Sequence, residues 1–284
     1  MYFGPAGNSE SFSAMGYKSS GQVPEYLEKL GLNAFEYQCG RGVNITEESA
    51  MKLGESAREK GIRLSIHAPY FISLSSQEEE KRIKSIDYIL QSARAASSMG
   101  ATRIVVHPGS VGKKMSREKA MQLSTDTIKL ALSALEEHKL DSVRICLEVM
   151  GKIGQLGTLE EVITLCEIDE RLIPCVDFGH HNSRTEGSLK TSADFASIFD
   201  TIENSLGNER MRSLHAHFSK IEYTIKGGEV RHLTFEDETY GPDFNMLAGV
   251  LVKKNIAATI ICESAGTQAE DAAAMKRIWE EYRG

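Results

Sequence analysis

Short runs of apolar and β-branched residues recur along the chain: NAFEYQ (33–38), IRLSIH (62–67), TRIVVH (102–107), VRICLE (143–148), LIPCVD (172–177), MRSLHAH (211–217) and ATIICE (258–263). The opening MYFG makes an eighth. Runs of this length and composition predict strands. Between them lie amphipathic stretches that predict helices: TEESAMKLGESAREKG, SSQEEEKRIKSIDYILQSARAASSMG, GTLEEVITLCE, and others near residues 192–206, 243–254 and 268–282. Ser76 with Glu79, and Thr158 with Glu161, have the spacing of a capping box, which predicts a helix start at each. Eight strands alternating with helices predict an α/β fold, a TIM (β/α)8 barrel formed by residues 1–284 as a single domain. An open parallel sheet is the runner-up. The longest irregular connection is expected over residues 219–242, and long loops in compact domains are often functional.

Composition narrows the class without naming a function. An apolar fraction of 41% and a charged fraction of 26% are those of a water-soluble globular protein. No run of 18 or more apolar residues is present, so no membrane-spanning helix is expected. MYFGPAGNSE has neither the basic nor the apolar region of a secretory signal. Cys39, Cys146, Cys166, Cys175 and Cys262 form no C-x-x-C pair, and three lie in strand-like runs, so buried free thiols in a reducing, cytoplasmic setting are expected. The net charge of -7 weighs against non-specific nucleic-acid binding, although bound divalent cations would offset it locally.

The ends of the strand-like runs carry the candidate chemistry. His67, His107, Glu148, Asp177 and Glu263 each end one run, and His215 and His217 lie at the end of another. Any one of these alone reads as a hydrogen-bonded structural residue. Six consecutive strands ending this way are different, because the C-terminal rim of a parallel barrel faces one mouth. Carboxylates and imidazoles crowded there would repel or desolvate one another unless a cation sat among them. Mixed His and carboxylate donors without thiolate suit Zn, Mn or Fe. His180, three residues after Asp177, and His232, in the 219–242 connection, are further candidates. His217 shares a strand face with His215 and so lines the same site. His138, in a helical Glu-Glu-His-Lys stretch, reads as solvated, and His181 has no comparable neighbours.

HAPY, HPGS, LEVMGKIGQLGT, VDFGH, HAHFSK and ICES resemble, in order and spacing, the motifs of endonuclease IV, over about residues 62–265. That family comprises zinc-dependent apurinic/apyrimidinic endonucleases on a TIM barrel of the xylose isomerase-like group. The resemblance implies three zinc ions. His67, His107 and Glu148 would hold the first. Glu148 would bridge to a second held by Asp177, His215 and Glu263, and Asp177 to a third held by His180 and His232. It implies a hydroxide bridging the first two metals as nucleophile on phosphorus, with Glu148 and Glu263 as the catalytic carboxylates, and a DNA partner carrying an abasic site. Tyr70 matches a tyrosine that inserts at that lesion. Arg41, Arg184, Lys220 and Arg231 are candidates to contact phosphates, and His217 to line the substrate site; the plainer reading of each cation is a solvated surface charge.

The chain departs from the family pattern at Val230, which stands where the family has an aspartate ligand to the third zinc. Glu229 would take its place only if a bulge or turn near Gly227 and Gly228 re-aimed it. A third ion is therefore expected to be the weakest held. The chain reads as a divergent, monomeric member. Two other readings compete: a single-metal sugar isomerase or epimerase, using Glu148, Asp177, His215 and Glu263, and a metal-dependent nucleic-acid binder without catalysis. His67 and His107 separate them, because an isomerase does not need both.

Overall fold

The computed structural model describes residues 1–284 in full. It contains ten strands: β1 (Tyr2–Pro5), β2 (Ala34–Gln38), β3 (Arg63–His67), β4 (Arg103–Val106), β5 (Arg144–Glu148), β6 (Leu172–Asp177), β7 (His215–Phe218), β8 (Ile221–Thr224), β9 (Gly228–His232) and β10 (Thr259–Cys262). All but β8 and β9 form one parallel sheet in the order β1-β10-β7-β6-β5-β4-β3-β2. The sheet curls until its edges meet. Gly7 N–H donates to Glu36 O at 2.9 Å, Asn33 N–H donates to Phe3 O at 3.1 Å, and Ala6 bridges Glu36 in parallel sense. This is a TIM barrel, as the alternation of strands and helices predicts.

Helices wrap the outside and bury their apolar faces on the strands in one continuous layer, from Phe3 and Phe35 round to Phe218 and Phe244. The lumen is different. It holds only two small apolar clusters, Val105 with Cys146, Ile173 and Cys175, and Ala6 with Ala34 and Ile261. The remaining interior positions include buried polar groups, among them Glu36, Ser65 and His215. The five cysteines are all buried and unpaired. No helix is long and apolar enough to cross a membrane.

Three local expectations need correction. The Thr158–Glu161 capping box forms and opens the helix Leu159–Cys166, but the Ser76–Glu79 box does not. That helix, Glu79–Ser98, begins with Glu79 itself and has Glu78 at its N-cap, so Ser76 lies too far upstream; its hydroxyl accepts from Glu78 N–H instead. The run 211–217 is not strand throughout, because Met211 and Arg212 end a short helix, Asn208–Arg212, and the strand starts at His215. The connection 219–242 is not irregular but carries the antiparallel hairpin of β8 and β9.

Closure of the barrel depends on Gly4. A Cβ at that position would lie 1.8 Å from Ala34 O on β2, and backbone cannot retreat from such a clash without opening the seam. Gly4→Ala is expected to cost about 3 kcal/mol of stability by forced overpacking. Chemical denaturation would measure it, and an unchanged midpoint would contradict the tight β1–β2 contact.

Candidate metal centre

Strand register decides which side chains share a level. His67 pairs with Gln38 and with Val105, so His107 lies two residues further along β4's path. Glu148 pairs with Cys175, so Asp177 lies two residues further. Asp177 pairs with His217, and His217 with Ile261, two residues before Glu263. The strands thus slip past one another in two-residue steps, as tilted barrel strands do. A ring of ionisable groups at the C-terminal mouth results.

Glu148 is its centre. One carboxylate oxygen, Oε2, lies 3.2 Å from His67 Nε2 and 3.0 Å from His107 Nε2; the other, Oε1, lies 3.1 Å from His217 Nδ1 and 3.3 Å from His180 Nδ1. Four groups have donor atoms within 4.8 Å of one another: His67, His107 and Glu148; Glu148, Asp177, His217 and Glu263; His180, Glu229 and His232; and, one layer deeper, Cys175, His215 and His217. His67 is oriented by its own backbone. Its Nδ1 lies 2.8 Å from Ala68 O, which leaves Nε2 to face Glu148.

VDFGH shows how sequence builds one corner of the ring. Asp177 ends β6 and caps the helix Phe178–Arg184, accepting from His180 N–H through Oδ1 at 2.7 Å. Its second oxygen, Oδ2, is buried without a hydrogen-bond partner and lies 3.3 Å from His180 Nδ1. Gly179 has to be glycine, since a Cβ there would come within 2.5 Å of Ser219 O. The turn that follows the strand therefore packs against the next loop and brings His180 over Asp177.

One expected ligand position is corrected, and the bulge required to re-aim Glu229 is found. The register places His217, not His215, beside Asp177; His215 pairs with Cys175 one layer deeper, and its Nε2 lies 2.8 Å from Glu36 Oε2. On the hairpin, Glu222 pairs with Arg231 and Tyr223 with Glu229, which leaves Val230 as the extra residue of a bulge. Val230 points outward and is 48% exposed, while Glu229 Oε2 lies 3.4 Å from His180 Nε2. The carboxylate missing at Val230 is thus supplied one residue earlier. His232 closes the cluster, its Nδ1 2.8 Å from Ser219 Oγ.

The electrostatics fit a cation. Burial would push the Glu148 carboxyl up, but His107, with hydrogen bonds from His107, His180 and His217, outweighs it and holds the group well below the usual range. Burial would lower His180, yet Asp177, Glu148 and Glu229 push it up to about 10. His217 is also raised well above its ordinary value, its burial overcome first by Cys175 beside it and then by Glu263 and Glu36. Without metal, His180 is the imidazole placed to answer Asp177, Glu148 and Glu229 with a proton. With the orphaned Asp177 oxygen and the N/O donor set, the residues fit divalent metal of the Zn, Mn or Fe kind.

The mouth opens into a cavity of about 610 Å³ lined by Tyr70, Lys152, Gln38, Gln155 and Gln268 beside the ring. Tyr70 lies over it, half exposed, with its ring 4.8 Å from that of His67 and its hydroxyl donating to Gln38 at 2.8 Å. The expected phosphate-contacting cations are mostly engaged elsewhere. Arg184 donates to the carbonyls of Met150, Lys152, Ile153 and Gln155, Lys220 to those of Phe235 and Asp237, and Arg231 pairs with Glu222. These three hold loops in place and do not line the cavity. Arg41 is exposed. Sequence reasoning missed Lys152 and the buried Glu36. Glu36 shares a strand face with Gln38, and a glutamate on the inner face of a strand was the available signal.

A family profile described as xylose isomerase-like TIM barrel matches residues 24–280. Among relatives, an uncharacterized protein of Methanocaldococcus jannaschii, MJ0133, is 35% identical over 240 residues, 84% of this chain and 85% of that protein. A protein of Staphylococcus carnosus described as "Probable endonuclease 4" is 31% identical over 213 residues, 70% of this chain and 68% of that protein. Two solved structures share the fold at 19% identity. A D-tagatose 3-epimerase-like protein superposes with a TM-score of 0.72 over 99% of this chain and 97% of its own. Endonuclease IV from Thermus thermophilus superposes with a TM-score of 0.68 over 99% and 98%. The chain belongs to the xylose isomerase-like TIM barrel family, and within it to the endonuclease IV group.

Proposed function

We propose that this protein is a metal-dependent phosphodiester hydrolase that cleaves DNA at abasic sites. The observation that carries this reading is that three of the donor clusters adjoin, two sharing Glu148 and the third reached through the 3.3 Å contact of Asp177 with His180. One metal would need only Glu148, Asp177, His217 and Glu263. The additional groups, His67 with His107 and His180 with Glu229 and His232, have no task in one-metal chemistry. Divalent metal, when bound, supplies Lewis acidity at the phosphate and lowers the pKa of water toward neutrality.

The protein's own residues do the rest. Glu148 presents its two oxygens to different clusters and so ties them at a fixed spacing. The Tyr70 phenol, raised by burial and by Glu263 and Glu148, stays a neutral donor over the mouth. Its half-exposed ring presents apolar surface where a base-free sugar would leave a gap. Lys152, on the rim, is the cation that lines the cavity and is half exposed, within 4.0 Å of Glu229, so it is the cation placed to meet a phosphate oxygen.

A second reading has its own support in the epimerase neighbours and in the complete four-residue set around one ion. There Glu148 and Glu263 would move protons beside a carbonyl. The two readings make opposite statements about His107.

Zinc-reconstituted protein should incise duplex DNA carrying an abasic site. EDTA should abolish the cleavage, and Glu148→Ala and His107→Ala should each reduce it by more than about 100-fold, beyond the 10–100-fold typical of residues that only support a ligand. Gel-resolved strand cleavage measures this. A ketose epimerised at a rate indifferent to His107→Ala, with the DNA intact, would give the site to the second reading. Metal uptake should also depend on pH. His180, pushed up to about 10, faces Asp177, Glu148 and Glu229, and the raised His217 faces Cys175, Glu148, Glu263 and Glu36. Protons therefore compete with metal below the raised values, and affinity should rise with pH from 6 to 9, with protons released on loading. Calorimetry in buffers of different ionisation enthalpy would show it; pH-independent binding without proton release would contradict it.

A further inference from the structure

Glu36 belongs to none of the donor clusters and lies directly behind His217, which two of them share. It is fully buried on β2, and its ion-pair partners are both imidazoles. Oε2 lies 2.8 Å from His215 Nε2 and accepts from Ser65 Oγ at 3.0 Å. Oε1 lies 3.0 Å from His217 Nε2, which makes no hydrogen bond as placed, and accepts from Gln38 Nε2 at 3.3 Å. A carboxylate placed this deep costs several kcal/mol of lost hydration unless its neighbours answer it, on the order given for buried ions. Apolar residues of similar volume would fill the space without that cost.

The position on His217 explains the expense. His217 presents Nδ1 to Glu148 and Glu263, at 3.1 and 3.6 Å. An imidazole that ligates through Nδ1 must carry its proton on Nε2, and Nε2 faces Glu36. His215 holds the carboxylate from below, through its own Nε2–H, and Ser65 holds it from the side. We infer that Glu36 is a positioning residue: it accepts the Nε2 proton of His217, fixes the ring so that Nδ1 is the ligating atom, and strengthens the ion held by Glu148, Asp177, His217 and Glu263. Hydrogen-bonded carboxylates behind a ligating histidine act in this way and are worth 10–100-fold in metal affinity. This rests on the metal-centre reading above, but not on DNA being the substrate.

The test is Glu36→Gln, in the full-length zinc-loaded protein. Glutamine keeps the shape but has one accepting oxygen, so it cannot receive protons from both His215 and His217. Zinc competition with a chelator should show one ion per chain held about 10–100-fold more weakly, the others unchanged. Histidine-selective nitrogen NMR should show His217 in the Nε2–H form in the wild type and mixed in the variant. For DNA cleavage, kcat should fall while KM stays constant. A lower melting temperature with an unchanged zinc profile and unchanged His217 tautomer would make Glu36 merely structural and overturn the assignment. If Glu36→Gln fails to fold, Ser65→Ala decides: several-fold weaker binding of the same ion supports the role, and wild-type binding overturns it. Because zinc binding is read without substrate, a wild type that loads zinc but cuts no DNA would defeat the hydrolase reading and leave this one standing.

Discussion

Parallel strands that close into a barrel cannot lie level; they tilt and slip, and in this chain the slip comes in two-residue steps. Side chains alternate with a period of two, so a two-residue step keeps the same face inward while moving it one layer. Everything at the mouth depends on that constraint. It lifts His107 level with Glu148, Asp177 level with His217, and carries Glu263 to the same rim. One residue of error would turn the whole set outward, and two would sink it into the lumen, which is where His215 lies.

Once the ring is assembled, charge governs it. Glu148, Asp177 and Glu36 are buried, and the groups that answer them are imidazoles, with no lysine or arginine in ion-pair contact. Imidazole can meet a carboxylate in two ways, as a protonated partner or as a ligand to a shared cation. The raised His180 and His217 describe the first state, and the same nitrogens are placed for the second. Apart from Lys152 on the rim, the expected phosphate-contacting cations Arg184, Lys220 and Arg231 instead hold loop carbonyls or a surface pair, Arg184 most completely. The protein keeps a net charge of -7, which divalent ions held at the centre would offset locally.

Much of this was legible in the residues. Alternating strand and helix patterns specify the barrel, and the strand-end positions of His67, His107, Glu148, Asp177 and Glu263 are visible because each ends an apolar run. The misses have physical causes. MRSLHAH offers two histidines on one face, and only pairing with β6 tells which layer each occupies. Glu229 and Val230 exchange roles through a bulge, and a bulge depends on how two strands pair, not on one strand's composition. Glu36 was hidden because a glutamate in an amphipathic strand ordinarily faces water, and a barrel lumen reverses that expectation. Arg184 and Lys220 looked like phosphate contacts because their carbonyl partners come from distant loops.

The central claim is that the clusters joined by Glu148 and Asp177 form one multinuclear centre. Anomalous scattering at the zinc edge from crystals of zinc-loaded protein tests it most directly. Three peaks are predicted: one among His67, His107 and Glu148, one among Glu148, Asp177, His217 and Glu263, and one among His180, Glu229 and His232. A single peak within the second set, at saturating zinc, would contradict the account.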